Sequence, residues 1–149
     1  MKTALCAVFG MDIMAIIYTT DVECVNEGML DGFFVDWPKP PSAAAHLRIL
    51  EGSYLVWLAV DESTGKVVGF INAISDGVMS AYIPLLEVLP EYQGRGIGSE
   101  LVRRMLDSLK DLYMVDVLCD GHLQEYYARF GMRSATGAMV RNYDRQSCE

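Results

Sequence analysis

Leu86-Glu87-Val88-Leu89-Pro90-Glu91-Tyr92-Gln93-Gly94-Arg95-Gly96-Ile97-Gly98-Ser99 is the most informative run in this chain of 149 residues. It begins as an apolar strand interrupted by Glu87, passes through glycines at 94, 96 and 98, and enters a helix directly. With Cβ absent at every second position, a ligand can approach the backbone of such a loop closely. The helix that follows turns its unpaired N–H groups and the positive end of its dipole back at the loop. With the cation of Arg95 beside them, these features describe an anion site best suited to phosphate.

Three phosphate-binding patterns compete for this loop. A P-loop ends in Gly-Lys-Ser/Thr, and here Gly98-Ser99 has no lysine. A dinucleotide fingerprint, G-x-G-x-x-G, needs its third glycine one residue later, although Asp116 or Asp120 lies at a suitable distance downstream. That fingerprint normally opens a domain, and too little chain follows Gly98 to complete one. The third pattern, Gln/Arg-x-x-Gly-x-Gly/Ala, is matched at every fixed position by Gln93-Gly94-Arg95-Gly96-Ile97-Gly98. Following a strand that ends Val88-Leu89-Pro90-Glu91-Tyr92, this motif resembles the acetyl-CoA loop of the GNAT superfamily of N-acetyltransferases. The plain alternative is a glycine-rich turn with no ligand, but three glycines weaken a turn with no structural gain.

Length and composition indicate one domain with ample apolar residues, 52%, for a core. The net charge of −8 argues against nucleic acid and anionic membrane as partners. Residues 1–92 hold 12 acids and 4 bases, whereas residues 93–149 hold 8 of each, so bases concentrate in the half with the phosphate loop. The acidic half would attract a cationic substrate, or it is simply a solvated surface. Cys6, Cys24, Cys119 and Cys148 form no C-x-x-C pair, and two histidines offer no metal-binding spacing. Scattered thiols of this kind suggest a reducing, cytoplasmic setting. The apolar start resembles a signal peptide, but Asp12 interrupts it and no cleavage site is clear. Residues 1–14 read as an N-terminal extension or the beginning of the first strand, with Met14 an alternative start, and residues 15–149 as the domain.

In chain order, residues 15–19 predict a strand, and the capping box Thr20-Asp21-Val22-Glu23 predicts a helix over residues 21–30. Pro38, Pro40 and Pro41 mark an extended loop. Ser42 can cap a helix to Leu50, closed by Gly52, with Leu47 and Leu50 inward. His46 on that helix suits a surface or packing role better than catalysis. Residues 55–60, 67–74 and 78–89 predict an antiparallel meander. From Ile97, the spacing of Leu101, Met105 and Leu109 is helical, with Val102 and Leu106 widening the stripe and Glu100 four residues before Arg104. Residues 114–119 predict a strand joined by a right-handed parallel crossover. Residues 123–130 predict a short helix stopped by Gly131, and residues 134–143 a closing hairpin around Gly137.

Tyr127-Ala128-Arg129-Phe130-Gly131-Met132 matches the second signature of the same family, and the resemblance spans about Ala15 to Tyr143. It implies an α/β (α+β) GNAT fold, with a mixed, mostly antiparallel central sheet and helices on both faces. It implies acetyl-CoA as cofactor and direct acetyl transfer to a primary amine of a small molecule or peptide, with a homodimer permitted. A GNAT-fold module that binds acyl-CoA without turnover is the alternative. Backbone N–H groups of Gln93, Gly94, Arg95, Gly96, Ile97, Gly98 and Ser99 would then take the pyrophosphate. The strand at Leu86 and Val88 would pair with the pantetheine arm, and Tyr127 would be the acid beside the leaving sulfur. Phe33, Phe34 and Trp37 would face the acceptor amine, although pinning a loop to the sheet is the plainer role for any one ring. Glu87 is an expensive carboxylate in an apolar strand and a candidate base. Tyr82 stands where family members carry a base earlier on that strand. A bulge in the strand would change which face each of them takes.

Overall fold

Strand β3, Val67–Ser75, has residues 67 to 73 all buried, which requires cover on both of its faces. The computed structural model describes residues 15–149 and supplies that cover. The expectations for residues 1–14, including Met14 as a start and Cys6 as a thiol, lie outside the described residues.

The sheet runs β1 (Ile16–Thr19), β2 (Leu55–Asp61), β3, β4 (Ser80–Val88) and β5 (Met114–Val117) in spatial order. Its first four strands are antiparallel, and β4 and β5 are parallel. Helix α1, Ala43–Glu51, covers one face and α2, Ile97–Ser108, the other. On the α1 face, the His46 ring lies 4.4 Å from that of Phe70, and Asn72 Nδ2 donates to Ser53 Oγ at 2.9 Å. On the α2 face, Trp57 Nε1 donates to Ser108 Oγ at 3.1 Å. Gly69 there lets Ile97 close in, because a Cβ would sit 3.3 Å from its Cγ2. This is the expected sheet with helices on both faces. Among the described residues, no helix is long and apolar enough to cross a membrane.

Local chemistry explains the elements that form as expected. Ser42 Oγ accepts from the Ala45 N–H at 3.1 Å and caps α1. In α2, Ile97, Leu101, Val102 and Met105 are buried, and Leu109 just beyond it is buried too. Glu100 pairs with Arg104 at 2.8 Å and also with Arg103 at 3.2 Å.

Four elements differ from expectation. Residues 21–30 form turns and a single 3-10 turn, Glu27–Met29, instead of a helix. Thr19 Oγ1, not Thr20, takes the Asp21 N–H at 3.0 Å, and Val22, Val25, Asn26 and Gly28 all have modest or poor helix propensity. Residues 134–143 form no hairpin. Its large apolar residues Met139, Val140 and Tyr143 are 65%, 91% and 68% exposed. Strand β5 stops at Val117, two residues early, and the following helix α3 is only Gln124–Ala128, with Gly131 beyond it at φ 82°.

Candidate active site

The glycine loop sits where the sheet opens. Pairing of β4 with β5 runs from Ser80 opposite Met114 to Ile83 opposite Val117, and the two strands then part. A bulge lies at that point. Asn72 pairs with Leu85 but Ile74 with Tyr82, so β4 carries one extra residue at Ile83-Pro84. Beyond it, the Leu89 N–H donates to the Val68 carbonyl at 2.9 Å. Backbone direction alternates along a strand, so Leu86 and Val88 turn their groups the other way, into the opening. The Val88 carbonyl accepts from Gln93 Nε2 at 2.9 Å, which ties the loop to the strand end.

Gly94 and Gly96 have φ of 73° and 81°, the region that glycine adopts without a Cβ penalty. A Cβ on either would meet nothing within 4 Å, so the space in front of the loop is open. In α2, Glu100 is the first residue whose N–H reaches a helical carbonyl, that of Gly96 at 3.0 Å. The N–H groups ahead of it are those a helix leaves open at its start. Gln93 is the exception among the expected donors, since its N–H donates to the Pro90 carbonyl at 3.3 Å. Gly98 serves packing as well, because a Cβ there would lie 3.3 Å from Tyr126 Oη. Arg95 donates from Nη2 to the Glu91 carbonyl at 2.9 Å, and its guanidinium lies 5.2 Å from the Tyr92 ring centroid. An open, positively charged cradle of backbone donors fits a pyrophosphate.

Tyr127 is 7% exposed on α3, edge-on to Tyr126 at 5.1 Å. Burial first, then Tyr126 and Cys119, push its hydroxyl from the ordinary phenol value of 10.0 up to about 12. Tyr127 and Tyr82 line one open cleft of about 1330 Å³ between β5, α3 and the segment over residues 131–141.

Glu87 and Tyr82 pair with Phe70 and Ile74 on β3, four residues apart and therefore on one face. The bulge puts them on the same side although five residues separate them along β4. Glu87 accepts from the Phe34 N–H at 2.9 Å and the Val35 N–H at 3.1 Å, one on each oxygen. These bonds hold a turn in which Phe34 and Asp36 adopt φ of 60° and 65°. Phe33 and Phe34 are 8% and 4% exposed and pack on His46 and Phe70. Both rings belong to the hydrophobic core and pin their loop onto the sheet, the plainer of their two expected roles. Trp37 is 40% exposed and stacks edge-on to Phe34. His46 is buried, and among the described residues neither ring nitrogen finds a hydrogen-bond partner.

Sequence reasoning missed the bond from Tyr92 Oη to Asp61 Oδ2, 2.7 Å long. The Asp61-x-Ser63 turn was legible, but nothing local pointed to a tyrosine 31 positions away.

The family model described as the Acetyltransferase (GNAT) family matches residues 22–132. A crystal structure of a candidate acetyltransferase from Deinococcus radiodurans R1 is 44% identical, with a TM-score of 0.85 over 89% of this chain and 92% of that one. A GNAT family acetyltransferase from Streptococcus pneumoniae TIGR4 is 28% identical, with a TM-score of 0.69 over 86% of this chain and 98% of that one. The chloroplastic GCN5-related N-acetyltransferase 2 of Arabidopsis thaliana is 31% identical over 120 residues, covering 67% of this chain and 46% of its own length. The chain thus spans about half the length of the curated relatives it matches. A family match over most of the described residues, a mixed sheet that opens beside β4 and a glycine cradle at the start of α2 agree with one another: the chain belongs to the GNAT acetyltransferase family.

Proposed function

We propose that the protein is an acetyl-CoA-dependent N-acetyltransferase that acetylates a primary amine of a small molecule or peptide by direct transfer. The observation that carries this reading is the cradle at Gly94 and Gly96, open in front and placed where β4 and β5 part. Acetyl-CoA, when bound, supplies an acyl group activated as a thioester.

The chain's own groups have separate tasks. Backbone N–H groups of Gly94, Gly96, Ile97, Gly98 and Ser99, with Arg95, bind the pyrophosphate. Backbone groups of Leu86 and Val88 bind the amide-bearing arm through the opening, and the carbonyl of Val88 is shared with Gln93. Tyr127, its hydroxyl pushed up to about 12 by burial, presents the Oη proton to the sulfur as the C–S bond breaks, and the proton that the attacking amine loses passes to solvent, from which the phenol is restored. Glu87 fixes the turn at residues 34 and 35 and keeps a carboxylate on the α1 face. Tyr82, on the same face and lining the same cleft as Tyr127, is the other group on the acceptor side.

A panel of primary amines incubated with acetyl-CoA and read by release of free thiol tests the proposal. Thiol release with at least one amine, together with a product heavier by one acetyl group, is the expected result. CoA binding without release by any amine would make the domain an acyl-CoA-binding module instead.

A further inference from the structure

The proposed phosphate loop is held from a distance. Tyr92 closes the 3-10 turn Pro90–Tyr92 just ahead of the glycines, and its hydroxyl reaches Asp61 at the end of β2. Asp61 is fully buried, at 0% exposure. Its second oxygen, Oδ1, accepts from the Ser63 N–H at 2.9 Å and the Ser63 hydroxyl at 2.6 Å. Its backbone carbonyl accepts from the N–H groups of Thr64 and Gly65 at 3.3 and 2.8 Å. The hairpin turn therefore fixes the carboxylate, and Tyr92 is tied to a rigid anchor. On the face of the same ring lies the Arg95 guanidinium.

The charge states support a strong bond. The Tyr92 hydroxyl is raised, first by its bond to Asp61. Asp61 is lowered, first by the Ser63 hydroxyl and next by that of Tyr92. The phenol stays protonated and the carboxylate charged, which makes this a charge-assisted bond.

We propose that Asp61 and Tyr92 are positioning residues: Asp61 holds the Tyr92 ring, and the ring sets the place of Arg95 and of the loop backbone for the donor's phosphates. This rests on the reading of the glycine loop as the CoA phosphate site. Neither residue touches the donor, and both act through the loop. The anchor and the loop belong to different turns, so the bond fixes their relative position in a way that no contact within the loop can.

Calorimetric titration of CoA and of pantetheine, which lacks the phosphates, tests the inference without an acceptor amine. Tyr92→Phe keeps the ring under Arg95 and removes only the hydroxyl. Its Kd for CoA should rise about tenfold while that for pantetheine moves less than about twofold, because only phosphate binding depends on the loop's placement. Equal changes for both ligands would mean a merely structural bond and overturn the inference. A wild type that prefers CoA, with the preference intact in Tyr92→Phe, would overturn the inference alone. A wild type that binds both ligands equally would overturn the reading of the loop as well. Should Tyr92→Phe fail to fold, Asp61→Asn, which keeps an acceptor but loses the charge, is judged by the same ratio: a reduced preference supports the inference and an unchanged one overturns it.

Discussion

At a pKa of about 12, the Tyr127 hydroxyl remains a donor from acid through neutral pH and beyond. Sequence identifies the residue by its match to Tyr-x-x-x-Gly, but the burial that raises its pKa is invisible in a linear string. Tyr127→Phe keeps the ring in its T-shaped contact and removes the proton. Turnover at saturating substrates should fall roughly 10²–10⁴-fold, the general-acid contribution, while Tyr126→Phe, on the same helix, serves as the control. His46 is the second case. Its imidazole is buried against Phe33, Phe34 and Phe70, and burial lowers its pKa from 6.5 to about 4. The neutral form is thus the folded form, and the unfolded chain binds the extra proton between those values. Stability is complete above about pH 6.5 and declines as pH falls towards 4, by roughly 3 kcal/mol in total. Chemical denaturation of the wild type and His46→Leu at several pH values checks this. A decline of equal size in both proteins would assign the acid sensitivity to other groups.

The glycine loop illustrates what an element demands of its residues. Gly96 at φ 81° would cost an alanine about 1–2 kcal/mol for the left-handed backbone even with no ligand present. A loss of CoA affinity in Gly96→Ala is therefore informative only beside a strain-matched control. Gly77, at φ 73° in the β3–β4 turn, provides it, since a Cβ there meets only the half-exposed Tyr54 side chain. Both variants should melt a few degrees lower, by about the shift that 1–2 kcal/mol produces in a domain of this size. Only Gly96→Ala should lose CoA affinity by calorimetry. Two other elements mark where local signals mislead. The capping box at Thr20 is genuine as a pattern, but Asn26 and Gly28 undo the helix that it would start. The expected closing hairpin has turn chemistry at Gly137, but its large apolar side chains stay exposed, and a lone hairpin is at best marginal in water.

At the scale of the molecule, the expected GNAT fold and family were borne out by the five-stranded sheet and by the family match. The order of strands, the stripe on α2 and the glycine cradle were legible because each depends on neighbours a few residues apart: period two, period four, and a backbone freed of Cβ. The candidate site could be named from the sequence residue by residue, but its arrangement could not. Glu87 could be flagged as a carboxylate in an apolar strand, yet its partners, the N–H groups of Phe34 and Val35, come from about 50 residues earlier, 53 and 52 positions away. Whether Tyr82 and Glu87 share a face turned on one extra residue at Ile83-Pro84, which no alternation pattern announces. Phe33 and Phe34 proved to be core because the α1 face needed them over Phe70. Short-range chemistry in the chain sufficed to specify most of its elements, its family and a glycine loop that opens α2. Register, burial and the Asp61–Tyr92 bond arose only on folding, because each joins segments whose separation along the chain carries no local signal.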